Sequence, residues 1–178
     1  MGTLAKSEPS NLTLVERLKA RKNQYALLLD LSGSMASSLE PQQTKYEALC
    51  GIVQRLQSPV EIFAFNTSTT KVTRDSIPRP SGGTIMSQAL RFVKSLNIKK
   101  VIMVTDGNDA DYDKQVALEE AKDMELKIMY VGPDPKPAFL DQLATNGFCT
   151  SEDLKQPTVL SEKLRLLIDG EVNRSIQL

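Results

Sequence analysis

Asp30-Leu31-Ser32-Gly33-Ser34 sets one carboxylate and two hydroxyls at alternate positions. Gly33, between the serines, permits a tight turn. A second acid, Asp106, ends the apolar run that starts at Lys100, and Thr84 follows Ser81-Gly82-Gly83. Two carboxylates brought close repel each other and shift their pKa values, unless a proton or a cation sits between them. A hard divalent cation is the natural remedy. Ser32, Ser34 and Thr84 add neutral oxygens to Asp30 and Asp106, so five donors carry only two formal charges. That inventory suits magnesium, which keeps several waters and binds octahedrally. Manganese or calcium are the alternatives, and the soft metals that want Cys or His are disfavoured.

Composition narrows the chemistry further. The chain has 178 residues, enough for one domain with a sizeable core. Lys+Arg and Asp+Glu both number 22, so no global field points to nucleic acid or to an acidic membrane surface. Histidine is absent, which removes a histidine base, a histidine metal site and the Ser/His/Asp triad. Cys50 and Cys149 make neither a disulfide framework nor a zinc site, and are expected as reduced thiols, Cys50 in the core. No apolar run resembles a signal peptide or spans a membrane, so the expected setting is cytoplasmic.

The acids must be delivered by strands. Short apolar runs lie at 25–30 (YALLLD), 60–66 (VEIFAFN), 100–106 (KVIMVTD) and 126–131 (LKIMYV), with a weaker fifth at 147–150. Three are nearly continuous, the pattern of parallel strands buried on both faces. Between them, Leu49, Ile52, Val53 and Leu56 recur at helical spacing, as do Met86, Ala89, Leu90 and Val93. Thr44 and Glu47 fit a capping box. Helices are also expected in "DYDKQVALEEAKDM", "AFLDQLA", "VLSEKLRLLID" and, ahead of the first strand, "LTLVERLKAR". The organisation expected is an N-terminal helical extension at 1–21 and a single domain at 22–178. Its fold class is α/β, a doubly wound and mostly parallel sheet with helices on both faces. "TSTTKVTR" suggests a short extra strand at the sheet edge. In such sheets ligands bind at the carboxyl ends of the strands, where Asp30 and Asp106 both fall.

DxSxS after the first strand, Thr84 after a Gly-Gly turn, and Thr105-Asp106-Gly107 after a later strand together resemble the von Willebrand factor type A domain and its metal-ion-dependent adhesion site. The resemblance runs from about Lys22 to Gly170. It implies that Ser32 and Ser34 bind the metal directly, that Thr84 binds directly or through water, and that Asp30 and Asp106 act largely through bound waters. It implies one short antiparallel edge strand, which "KVTR" would supply. It also implies binding rather than catalysis, with a Glu or Asp of a partner protein completing the metal's shell. Small intracellular forms of this kind resemble partners of AAA+ ATPases or members of multi-protein assemblies.

Three other readings compete. A haloacid-dehalogenase-type phosphotransfer enzyme also ends its first strand in an aspartate, but it needs a second acid two residues on, where Ser32 stands. "DADYDKQVALEE" approaches the spacing of an EF-hand loop, but Lys114 occupies the position that needs glycine. Aspartates at a helix N-terminus explain that run more simply. The third reading is a scaffold that binds partners without metal. The stiff loop at 75–83, with two prolines, is expected to move with Thr84.

Overall fold

The computed structural model describes residues 25–56, 60–147 and 149–151, together with 162, 164–166 and 168 of a C-terminal helix. The expected helical extension at 1–21 lies outside the described residues. The first strand, β1 (Ala26–Asp30), forms because five consecutive residues can be buried at once. Leu27, Leu28 and Leu29 have no exposed surface. Each such side chain contributes about 2 kcal/mol by leaving water, so Asp30 rests on a strongly anchored strand.

Next come a hairpin of β2 (Ser38–Glu40) and β3 (Gln43–Thr44), then helix α1 (Lys45–Arg55). The expected capping box starts α1: Thr44 Oγ1 accepts the Glu47 amide, and the Glu47 carboxylate accepts the Thr44 amide. Strand β4 (Glu61–Phe65) turns back into β5 (Thr69–Val72), and α2 (Met86–Ser95), β6 (Lys100–Thr105), α3 (Asp111–Ala121), β7 (Glu125–Tyr130), α4 (Ala138–Leu143) and β8 (Cys149–Ser151) follow.

The main sheet runs β5-β4-β1-β6-β7-β8. All its pairings are parallel except β4 with β5. The edge strand expected at "KVTR" begins two residues earlier, at Thr69. From β1 the chain passes to β4 on one side and later to β6 on the other. The order therefore reverses about β1, and the carboxyl ends of β1 and β6 flank the crevice this creates.

Side-chain alternation along β1 divides the core in two. Leu27, Leu29 and Leu31 join α1 residues Leu49, Ile52 and Val53, with Leu164 of the C-terminal helix, on one face. Ala26 and Leu28 join Met86, Leu90, Ala117 and Leu140 from α2, α3 and α4 on the other. Met103 and Met129 are buried strand residues, as expected. Cys50 differs from expectation. It sits half-buried on α1 beside Tyr46, because the buried stripe of that helix passes through Leu49 and Val53 instead. Among the described residues no helix is long and apolar enough to cross a membrane.

Candidate metal centre

Leu29 of β1 pairs with Val104 of β6, so the two strands end side by side. Asp30 is fully buried there, and both of its carboxylate oxygens are engaged. Oδ1 accepts the Ser32 amide at 2.8 Å, and Oδ2 accepts the Thr105 hydroxyl at 2.7 Å. Thr105 Oγ1 in turn accepts the Gly107 amide at 2.9 Å. Burial pushes Asp30 up to about 6, the nearby Asp106 charge adds to that, and the Thr105 and Ser32 hydrogen bonds oppose it.

After Asp30 the chain enters a single 3-10 turn, Gly33–Ala36. Ser32 precedes it but makes no side-chain cap, so its hydroxyl is not spent on the helix. Ser32 Oγ and Ser34 Oγ lie 3.0 Å apart. Gly33 is needed because its amide meets the Gly82 carbonyl at 2.9 Å, and a Cβ there would stand 3.2 Å from that oxygen. Ser81 N donates to Leu31 O at 2.9 Å, Asn66 Nδ2 to Ser81 O at 3.0 Å, and Tyr46 Oη to Ile77 O at 2.9 Å. The loop at 75–83 is thus laced to the end of β1 and to α1.

This lacing brings Thr84 to the serines. Ser32, Ser34 and Thr84 line one open cleft of about 270 Å³, together with Thr67, Asp109 and Tyr112. Thr84 is buried, and it is not the cap of α2, whose N-cap position is Ile85. Routine capping therefore does not account for it.

Asp106, 7% exposed, is not part of this lining. Its Oδ1 accepts the Asn108 amide at 3.2 Å, and its Oδ2 accepts the Lys45 ammonium at 2.8 Å. So Ser32, Ser34 and Thr84 line the cleft and Asp30 accepts the Ser32 amide, whereas Asp106 does not line it and already has a cation. Sequence reasoning missed Lys45, and it named Thr105 and Asp109 only as parts of the Thr105-Asp106-Gly107 motif and of the acidic run. Lys45 was legible in principle, since it falls four residues before Leu49 and so shares the buried stripe of α1.

The acidic run after Asp106 is no calcium loop. Asp113 folds back onto α2, where its carboxylate accepts the Ser87 amide at 2.8 Å and the Ser87 hydroxyl. Asp109 is 7% exposed, and neither of its carboxylate oxygens has a hydrogen-bond partner among the described residues. Burial, and then the Asp113 charge beside it, push Asp109 up to about 7.

The donor set fits a hard divalent ion. It consists of oxygens only, with three neutral hydroxyls at the cleft and buried carboxylates around them. Among solved structures, an aerotolerance-related membrane protein from Bacteroides fragilis is similar in fold. It superposes at a TM-score of 0.57 and 16% identity, over 84% of this chain and 98% of the other. A von Willebrand factor type A protein from Catenulispora acidiphila matches at 0.56 and 19% identity, over 83% of this chain and 42% of the other. The fold is that of a von Willebrand factor type A domain. Proximal thread matrix protein 1 of the mussel byssus also matches, at 0.56 and 17% identity, over 81% of this chain and 45% of the other. The chain therefore spans less than half of the latter two proteins. No protein-family model and no curated protein matches it.

Proposed function

We propose that this chain is a divalent-metal-dependent protein-interaction module, which binds an acidic residue of a partner protein through a magnesium or manganese ion at the cleft. The observation that carries the reading is the convergence of Ser32, Ser34 and Thr84 on one open cleft, with Asp30 buried directly behind Ser32. In this reading the hydroxyls hold the ion, and Asp30 and Asp106 support it through water. Bound there, the ion supplies an electrophilic point that a partner carboxylate can complete. Tyr112, 74% exposed at the cleft, and Val116 one turn further along α3 offer apolar contact beside that point.

Binding is favoured over catalysis by the state of Asp30. A nucleophilic aspartate needs access to its substrate, whereas Asp30 has no exposed surface and both of its oxygens accept hydrogen bonds. The reading includes a cytoplasmic setting, where Cys50 stays a free thiol. An AAA+ ATPase or a multi-protein assembly is the class of partner to try first.

Titration calorimetry with Mg²⁺ on the wild type and Asp30→Ala is the direct test. Saturable heat in the first and none in the second is expected, and equal affinity would end the metal assignment. An array of Glu- and Asp-bearing peptides, probed with and without EDTA, then tests the carboxylate. One observation favours a second reading, a metal-independent scaffold: Lys45 already balances Asp106. Peptide capture unchanged by EDTA would select it.

A further inference from the structure

Asp109 and Lys45 raise a question of charge at the cleft. Asp109 lines it with Ser32, Ser34 and Thr84, yet both of its buried oxygens lack a hydrogen-bond partner among the described residues. Buried carboxylates without partners are costly, and proteins keep few of them. The amides of Met86 and Ala110 lie close without reaching hydrogen-bond geometry. The neighbouring Asp113 accepts from Ser87 and adds its own negative charge beside Asp109, so it relieves Asp109 only where the two share a proton. A buried carboxyl group without a hydrogen-bond partner, at a cleft of neutral hydroxyls, is one that a cation would satisfy.

Lys45 removes a charge from the same rim. Its ammonium lies 2.8 Å from Asp106, and the two side chains are 11% and 2% exposed. Asp30, Asp106 and Lys45 together carry one net negative charge, that is −1 −1 +1. Adding Asp109 brings the total to two, which matches a divalent ion.

We infer that Asp109 supplies the second carboxylate charge toward the cation of this cleft, and that Lys45 offsets the charge of Asp106. This rests on the metal-dependent reading above. The competing account is that Asp109 stays protonated and merely shares a proton with Asp113. An isosteric amide would then serve equally well.

Mn²⁺ binding, followed by loss of the free-ion electron paramagnetic resonance signal, separates the two. The full chain is compared with Asp109→Asn and with Ser32→Ala as the site control. Circular dichroism checks the folding of each. Asp109→Asn should weaken Mn²⁺ binding at least tenfold. Should Asp109→Asn not fold, Asp109→Ser replaces it under the same thresholds. If Asp109→Asn binds within threefold while Ser32→Ala fails, the Asp109 assignment is wrong and the metal-dependent reading stands. A wild type that takes up no Mn²⁺ at millimolar concentration overturns both.

Discussion

Lys45 and Asp106, 61 residues apart in the chain, form an ion pair of 2.8 Å inside the protein. Removing one partner of such a pair strands a buried charge and costs about 3 kcal/mol or more, whereas replacing both with neutral groups costs far less. In metal-free buffer, Lys45→Met and Asp106→Asn should each lower the urea stability by about that amount. The double variant should lose much less than the sum. Additive losses in the cycle would show that the two side chains are not coupled.

Asp30 makes stability depend on pH in the direction opposite to a salt-bridged acid. The folded protein keeps its proton up to about pH 6, while the unfolded chain releases it near 3.8. Ionised Asp30 therefore costs stability. The cost is absent below the unfolded value, grows as pH rises through the window between the two, and is complete above about 6. Without metal, Asp30→Asn should be more stable than the wild type at pH 7.5 by about 3 kcal/mol, from two units at 1.36 kcal/mol each. Melting curves of both proteins at pH 4 should converge. A gap that is constant across pH would refute the buried-carboxylate account.

Asp113 and Asp111 share a helix turn but not a role. Asp113 is buried and clamps Ser87 on α2, and hydrogen bonds to a charged group contribute about 2 kcal/mol. Asp113→Ala should cost at least that much and speed amide exchange at the start of α2. Asp111 is 95% exposed and pairs with Lys114 at the surface. Its replacement by alanine should leave the denaturation midpoint where it was. Equal effects would mean that the clamp between α2 and α3 does not contribute.

Gly107 adopts φ +72, and a Cβ there would stand 2.9 Å from Leu140 Cδ1 and 3.0 Å from Pro137 Cγ. Strain in the left-handed region and overpacking act together, so Gly107→Ala should cost about 3 kcal/mol. A thermal melt within a degree of the wild type would contradict this. Because Gly107 follows Asp106 directly, the variant should also loosen the ion pair with Lys45, visible as weaker coupling in the double-mutant cycle above.

The fold was legible wherever burial was continuous along the chain. YALLLD and KVIMVTD could be little else than two-face-buried parallel strands, and their terminal acids marked the rim. The β2–β3 hairpin was not legible, since strands of three and two residues carry no periodic signal. DADYD read as helix-terminal aspartates because local charge patterns cannot show that α3 packs against α2. Asp113 nonetheless falls in register with the buried Ala117 and Ala121, as Lys45 does with Leu49. A charged residue in phase with an apolar stripe was the overlooked signal, and in both cases its partner came from a different element.

The antiparallel strand β5 bounds one side of the sheet with only four residues, Thr69–Val72. Thr70 and Lys71 are exposed, and Lys71 is held by Glu61 at 2.6 Å. An open strand margin is a template on which a neighbouring molecule can polymerise, and a short, polar, lysine-bearing margin discourages it. The strands β1, β4 and β6, whose apolar runs would be the most prone to fibre formation, are thereby shielded on that flank. Copies of the protein are thereby discouraged from joining sheet to sheet along that margin.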